Sequence, residues 1–192
     1  MRYFIVVGLL VATAAGAQPA QPPVEPVEIT PTAGYLFGGT LLTFPTGYSL
    51  NIADHFTYGL RVGYNATAAL EPELQWSHAE TSVGADTPPT PLTLDFFIVG
   101  LTYNFSAARL RPYLSLGVGA LRFDEAYSRV QTLFTVSAAL GAKYFISPHV
   151  GVRLEFRGYG SKPSDGIRAE CSDCSSKWIF NGDLTGGLLV AF

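Results

Sequence analysis

The chain has 192 residues and a formal net charge of −3, and only 14% of its residues are charged. An ordinary soluble domain carries about 25% charged residues. Here 48% of the residues are hydrophobic and 13% are aromatic, which excludes a disordered chain. The acidic balance excludes a protein that binds nucleic acid by neutralising phosphates, and the length suits one domain.

The first residues have the organisation of a secretory signal peptide. Arg2 precedes a short apolar run, and the small residues Ala15 and Ala17 stand just before Gln18. Residues 1–17 are therefore predicted to be removed, because an uncleaved membrane anchor would need about 20 apolar residues. Residues 18–26 contain four prolines and are predicted to form an extended leader.

From Val27 onward, apolar residues alternate with small or polar residues, which is the two-residue period of a β-strand. The alternation is clearest over residues 150–157, where apolar Val150, Val152, Leu154 and Phe156 alternate with Gly151, Arg153, Glu155 and Arg157. The same pattern predicts eight strands, near residues 27–38, 57–65, 69–79, 92–105, 110–123, 131–146, 149–160 and 178–192.

Short and long connections alternate between these strands. The short ones lie near residues 66–68, 106–109 and 147–148, and the longer ones near 39–56, 80–91, 124–130 and 161–177. No stretch after the signal peptide approaches 18 consecutive apolar residues, which excludes a membrane-spanning helix. We therefore predict an all-β fold, an eight-stranded antiparallel up-and-down transmembrane β-barrel over residues 27–192. Both termini would lie at the compact end, which faces the periplasm in bacterial outer-membrane barrels.

The polar side of the alternation indicates which face is inside. It consists mostly of small residues mixed with charges of both signs, and this mixture suits the narrow interior of an eight-stranded barrel. Charges confined there must pair, because an unpaired buried ion costs several kcal/mol. The predicted luminal charges are Glu28, Arg61, Glu71, Glu73, Lys143, Arg153, Glu155, Arg157 and Asp183.

Aromatic residues on the apolar side cluster near the strand ends, as in the two interfacial belts of membrane barrels. The belt predicted at the compact end contains Tyr64, Tyr103, Phe105, Tyr144 and Phe192, and the belt predicted at the loop end contains Phe37, Trp76, Phe156, Trp178 and Phe180. The alternative is that these rings pack the core of a soluble barrel, but such a core has no reason to sort rings to two heights.

Four segments carry a resemblance to a known family: residues 28–35 of the first strand, 111–119 of the fifth, 151–157 after a tight turn, and the closing strand 184–192. In this order they make the chain resemble the OmpA-like and OmpX-like small outer-membrane barrels. The resemblance implies a lumen plugged by an Arg/Lys/Glu network. It also implies that Leu188, Val190 and Phe192 form the C-terminal signal that the barrel-assembly machinery reads.

The resemblance further implies a monomeric protein of a Gram-negative outer membrane, in contact with its lipid and without a cofactor. We expect a structural or surface-interaction role, such as envelope integrity or adhesion through loops 39–56 and 161–177, with an unknown ligand. A narrow porin-like channel is an alternative, because the luminal charges could line a water path. A lipid A-modifying enzyme would need Ser and His within hydrogen-bond reach. Ser77 and His78 are adjacent on a strand and so face opposite sides, and we therefore predict no enzyme.

Cys171 and Cys174 lie in the last long loop. In an oxidising exterior this spacing favours a local disulfide that stiffens the loop. Free thiols or a metal site remain alternatives, although a redox pair usually stands at a helix N-terminus and zinc needs further ligands. His55 and His149 are scattered over a loop and a turn, and no metal site is predicted.

Overall fold

The computed structural model of the protein describes residues 25–43, 49–83, 90–125, 130–162 and 178–192. The strands in these ranges are β1 (Val27–Phe37), β2 (Thr40–Thr43), β3 (Ser49–Asn51), β4 (His55–Tyr64), β5 (Leu70–Val83), β6 (Thr90–Asn104), β7 (Leu110–Glu125), β8 (Gln131–Phe145), β9 (Val150–Lys162) and β10 (Ile179–Ala191). Within the same ranges, no helix is long and apolar enough to cross a membrane.

Eight of these strands form a closed antiparallel barrel in the order β1-β10-β9-β8-β7-β6-β5-β4. Strand β1 closes it, because Thr32 lies opposite Gly187 of β10 and opposite Gly59 of β4. Val27 and Phe192 exchange backbone hydrogen bonds of 3.0 and 2.9 Å at the end that carries the short turns, here called the compact end. The other end is called the loop end. The predicted eight-stranded up-and-down barrel is thus confirmed, with strand bounds within a few residues of those expected.

The predicted loop 39–56 contains an additional hairpin, formed by β2 and β3. Its strands have four and three residues, which is too short for an alternation to be visible in the sequence. Just before β4 begins, Ile52 pairs with Val83 of β5, and this bridge joins the hairpin to the barrel wall. The chain bends at Gly39, where a Cβ atom would lie 1.7 Å from the carbonyl oxygen of Phe180. Only glycine therefore fits at this bend.

The barrel strands follow the expected alternation between interior and exterior. On β9 the side chains of Arg153, Glu155 and Arg157 are buried, whereas Val152 and Leu154 between them are exposed. The aromatic side chains assigned to the two belts also lie on the outer face of the wall, and all except Trp76 are well exposed. The polar side of the pattern therefore lines the lumen over the compact-end half of the barrel.

In the loop-end half, the prediction of a polar interior is wrong. A cluster of buried apolar side chains, here called the apolar plug, fills the lumen there, and the hairpin contributes Leu41 and Ile52 to it. Strand β6 has Leu94 and Phe96 inside and Phe97 outside, so this stretch is apolar on both faces. The alternation between apolar and polar residues is therefore not visible in the sequence of this stretch. The plug comprises Leu36, Leu41, Ile52, Ala79, Val83, Leu92, Leu94, Phe96, Ile98, Leu121, Phe123, Leu133, Tyr159 and Ile179.

Candidate functional site: a charge network in the lumen

All nine charged residues predicted for the lumen lie inside the barrel, each at most 4% exposed. The structure brings eight of them into two clusters, one around two carboxylates at mid-height and one around Lys143 nearer the compact end. The ninth, Asp183, forms no ion pair with any residue that the structure describes. It lies on the loop-end side of the mid-height cluster.

Glu155 is the centre of the mid-height cluster. Its Oε1 accepts a hydrogen bond from Nε of Arg157 at 2.7 Å and forms an ion pair with Nη1 of Arg61, also at 2.7 Å. Its Oε2 accepts Nη2 of Arg153 at 2.9 Å. Three guanidinium groups from β4 and β9 therefore converge on one carboxylate. Such charge-assisted contacts are the stronger hydrogen bonds in proteins.

Glu73 on β5 supplies a second carboxylate to the same three cations. Its Oε2 accepts Nη1 of Arg153, and its Oε1 lies 3.6 Å from Nη1 of Arg61 and 3.5 Å from Nη2 of Arg157. The two carboxylates lie between three guanidinium groups, so neither acid is left unpaired. This pairing is what a buried ion needs to offset the loss of its hydration.

Neutral side chains of neighbouring strands accept further guanidinium protons. Arg157 donates to Ser137 at 3.0 Å and to Ser115 at 3.4 Å. Arg61 donates to the amide oxygen of Gln75 at 3.1 Å. Polar residues on the inner side of β5, β7 and β8 therefore supply further hydrogen-bond acceptors to the guanidinium groups.

Tyr113 belongs to this cluster although the sequence did not single it out. Its hydroxyl accepts Nε of Arg153 at 2.7 Å and donates to Oε2 of Glu155 at 2.6 Å. The Arg153 guanidinium also lies 4.7 Å from the centroid of the Tyr113 ring. The available signal was its place on the same side of the strand as Ser115, which also faces the lumen.

Lys143 on β8 is the centre of the second cluster. Its Nζ lies 2.5 Å from both Glu28 Oε2 and Glu71 Oε2. The side-chain amide of Asn65 donates a hydrogen bond to the other oxygen of Glu28 at 2.8 Å, and the side-chain amide of Asn104 donates one to Glu71 at 3.2 Å. Lys143 thus links Glu28 on β1 to Glu71 on β5. Since Lys143 itself lies on β8, the cluster joins three separate strands of the wall.

Arg111 is a buried luminal cation that sequence reasoning missed. It is 3% exposed, donates its Nε to the carbonyl of Ala108 at 3.1 Å, and places its guanidinium 4.2 Å from the centroid of the Phe145 ring. It stands on the same side of β7 as Tyr113, which is the signal that could have found it. With Arg111, the buried charges of the described residues comprise five basic and five acidic groups.

Asp183 takes part in a hydrogen-bond relay instead of an ion pair. Tyr159 donates its hydroxyl to Asp183 Oδ2 at 2.7 Å and accepts the amide of Gln75 at 2.7 Å. Gln75 also contacts Arg61, so the relay joins Asp183 to the mid-height cluster. Tyr159 was not identified from the sequence either, although it lies two residues after Arg157 and therefore faces the same side of β9.

Other expected sites stand apart from the network. Ser77 lies inside the wall, where it accepts the amide of Gln75, whereas His78 faces outward and places Nδ1 2.7 Å from Asp95 Oδ1. Among the described residues, no group of three or more His, Cys, Asp or Glu side chains could hold a metal ion. Cys171, Cys174 and the signal peptide lie outside the described residues. Leu188, Val190 and Phe192 face outward on the closing strand and at its end, and their part in assembly stays a prediction.

Two solved structures resemble this barrel over most of its length. Neisserial surface protein A superposes with a TM-score of 0.64 at 17% identity, over 86% of this chain and 97% of that chain. OprG from Pseudomonas aeruginosa superposes with a TM-score of 0.55 at 14% identity, over 88% of this chain and 97% of that chain. Identities this low show a shared fold. A search of curated protein sequences finds no match.

The sequence itself also matches a family model. The model of the outer membrane protein beta-barrel domain covers residues 7–175, which include the first seven barrel strands. The closed eight-stranded barrel agrees with that match. The chain therefore belongs to the family of outer-membrane β-barrel proteins.

Proposed function

We propose that the protein is a structural, non-conducting barrel of a Gram-negative outer membrane, with exposed loops that carry surface interactions such as adhesion. The observation that carries this proposal is that the lumen is filled in both halves, by the charge network towards the compact end and by the apolar plug towards the loop end. An eight-stranded interior is only wide enough for side chains or one small ligand.

The charge network opposes opening of the compact-end half. Glu155 and Glu73 each contact the same three guanidinium groups, and Lys143 bridges two further acids. A water path through this half would require several of these pairs to separate. Separation of a buried pair is costly, because each ion then loses its partner without regaining full hydration.

The apolar plug opposes conduction independently. Leu94, Phe96, Leu121 and Phe123 are buried in the lumen, and Ile52 of the hairpin packs against the same cluster. Hydrophobic constrictions block ions by excluding water. An ion path would therefore have to displace the hairpin as well as the charged pairs.

The same proposal orients the barrel with its compact end towards the periplasm. Outer-membrane barrels have short periplasmic turns and longer external loops, and this barrel has its short turns at the end where Val27 meets Phe192. The barrel would insert as a monomer into outer-membrane lipid with the help of the assembly machinery. Specificity would then reside in the loops at the loop end.

A non-enzymatic role is part of the proposal. Ser77 and His78 lie on opposite faces of the wall, so they do not form a nucleophile and base pair. If His78 nevertheless served lipid modification, expression of the protein would shift the mass of lipid A, and His78→Ala would abolish the shift.

Planar-bilayer recording of the purified protein tests the proposal. We expect no steady single-channel conductance from the wild-type barrel, matching a protein-free bilayer. Steady openings whose size changes in Arg153→Ala, but not in the control Arg122→Ala on the outer face, would overturn the plugged-lumen proposal and support a narrow channel.

A further inference from the structure

A row of polar residues crosses the outer wall near the loop end. In the strand register Tyr58 of β4 lies opposite His78 of β5, His78 opposite Asp95 of β6, and Asp95 opposite Arg122 of β7. Their neighbours along the strands face the lumen, so these four side chains face outward. The four strands thus present one continuous polar surface.

The middle of this row is a preformed pair sheltered by aromatic rings. His78 Nδ1 lies 2.7 Å from Asp95 Oδ1, and Nε1 of Trp76 donates to the same oxygen at 3.4 Å. The His78 ring centroid is 5.1 Å from that of Tyr58 and 6.1 Å from that of Trp76. The side chains of His78 and Asp95 are each only 16% exposed, although both face outward. The pair is therefore held in place before any ligand arrives.

The row lies where the apolar band of the outer wall ends. Towards the compact end the outward residues of the same strands are apolar, as at Leu60, Leu74 and Phe97. Towards the loop end they are polar on β5 and β7, as at Glu80, whose side chain is 81% exposed, and at Asp124, whereas β4 has the exposed Phe56 there. Ionisable groups that face lipid are costly in the middle of the membrane and tolerated near its surface. The row is thus at the level of the lipid headgroups.

The opposite wall differs at its loop end. Strand β10 is four places from β6 in the barrel order, and its outward residues there are Trp178, Phe180 and Gly182. The outer face of β10 carries no charge within its described residues. The polar row is therefore a local feature of β4 to β7 and not a belt around the barrel.

We propose that this row, with Trp76, binds the sugar head of a membrane glycolipid. Both described contacts to Asp95 fall on Oδ1, which leaves Oδ2 to accept a sugar hydroxyl, and Nε2 of His78 supplies a second hydrogen-bonding atom. The rings of Tyr58 and Trp76 combine an apolar face with a polar tip, which suits the C–H face and hydroxyls of a sugar ring.

Charge favours an uncharged sugar over a phospholipid headgroup of net negative charge. Arg122, whose side chain is 53% exposed, lies 3.4 Å from the carboxylate of Asp124. The acids Glu80, Asp95 and Asp124 outnumber this one arginine on the surface, so a bare phosphate would meet net repulsion. Carboxylates accept neutral hydroxyls without this penalty. The inference goes beyond the proposed structural role and does not depend on whether the lumen conducts.

The chain contains two tryptophans. Trp76 lies beside the polar row and Trp178 lies on the opposite wall, so Trp178 provides an internal control. In the Trp178→Phe variant, Trp76 is the only indole reporter. The full chain in detergent micelles is titrated with a neutral glycolipid, a monoglucosyl diacylglycerol, and separately with phosphatidylglycerol, whose headgroup carries a net negative charge. We expect a saturable change of Trp76 emission with the neutral glycolipid alone, and no saturable change of Trp178 emission in the Trp76→Phe variant.

Variants of the polar pair complete the test. In the Trp178→Phe background, His78→Ala and Asp95→Asn should each raise the half-saturating concentration of the neutral glycolipid about three- to tenfold, the equivalent of one lost hydrogen bond. Lys162→Ala, an exposed charge on β9, should leave it unchanged. The heat-dependent gel shift verifies that each variant is folded. An equal response to phosphatidylglycerol, an equal response of Trp178, or unchanged binding in both pair variants would each refute the glycolipid site.

Discussion

The ring of Tyr159 stacks on that of Phe96 across the lumen, with centroids 4.2 Å apart. Tyr159 marks the boundary between the two halves of the interior. Its ring belongs to the apolar plug, whereas its hydroxyl bonds Gln75 and Asp183 on the side of the charge network. One side chain therefore couples the packing of the loop-end half to the polar network of the compact-end half.

Removal of the Tyr159 hydroxyl should weaken the barrel without disturbing its packing. In Tyr159→Phe the ring still stacks, but Asp183 loses its hydrogen-bond donor and Gln75 loses an acceptor. We expect the free energy of unfolding to fall by about 1–3 kcal/mol, the cost of leaving a buried polar group unsatisfied. Urea titration in lipid vesicles, read by the gel mobility of the folded barrel, measures it. Tyr144→Phe, on the exposed outer face, is the matched control and should change little.

Glu155 should be among the most sensitive positions of the charge network. Glu155→Ala removes the carboxylate shared by Arg61, Arg153 and Arg157, and leaves three guanidinium groups facing Glu73 alone. Breaking a buried ion pair by removing one partner costs about 3–5 kcal/mol, so the urea midpoint should fall sharply. Glu80→Ala, an exposed acid on the barrel wall, should have almost no effect. Equal midpoints for the two variants would contradict the role given to Glu155.

The sequence predicted the barrel and the charged residues because both depend on one local rule, the alternation of side chains between the faces of a strand. The rule works on β9, where Arg153, Glu155 and Arg157 alternate with large apolar residues. It fails on the loop-end half of β6, because Phe96 and Phe97 are both apolar although one faces the lumen and the other faces outward. The hairpin β2–β3 adds Leu41 and Ile52 to the apolar plug, and alternation along a single strand does not reveal this contact.

The neighbouring residues Phe96 and Phe97 provide a direct test of the apolar plug. Phe96→Ala creates a cavity among buried side chains and should lower the free energy of unfolding by about 3–5 kcal/mol. Phe97→Ala removes the same atoms from the outer face and leaves no internal cavity, so its effect should be clearly smaller. The two variants are compared by urea titration in the same vesicles. A larger effect at Phe97 would mean that the loop-end interior is not tightly packed.

The sequence could not predict which charged residues pair with each other. Pairing depends on the register and closure of the barrel and not on alternation along one strand. Lys143 meets Glu28 and Glu71, which are 115 and 72 residues away in the chain. Arg111 and Tyr113 share a face of β7 with Ser115, but alternation does not show whether an aromatic or a basic residue there belongs to the network. Their contacts with Phe145 on β8 and Glu155 on β9 depend on how the strands pair and curve in the barrel.

The pairing of Lys143 can be measured by a double-mutant cycle. Lys143→Met alone leaves Glu28 and Glu71 without their shared cation, and should destabilise the barrel by about 3–5 kcal/mol. Adding Glu71→Gln removes one of the stranded charges and should recover part of this loss. We expect a coupling energy of about 0.5–3 kcal/mol between the two positions, as for residues in direct contact. Simple additivity of the two substitutions would indicate that the ion pair does not form in the membrane.

The hairpin that closes the plug depends on the glycine at its bend. The Cβ of Gly39→Ala would lie 1.7 Å from the backbone oxygen of Phe180, so the chain must move away from β10 to make room. This movement also threatens the bond from Gly39 N to Asn181 Oδ1, which is 2.9 Å long. We expect a loss of about 1–3 kcal/mol, as for other overpacked sites, together with faster protease cleavage within the loop-end hairpin.

Gly158→Ala is the matched control for the bend, because a Cβ there would meet no atom closer than the carbonyl oxygen of Ala138 at 4.0 Å. Gly158 lies on the outer face of β9, away from the hairpin, so its replacement should alter neither stability nor cleavage appreciably. If Gly39→Ala were as stable and as protease-resistant as Gly158→Ala, the hairpin would not be anchored at this bend. The closure of the apolar plug would then have to rest on the side chains of the barrel strands alone, without a contribution from Leu41 and Ile52.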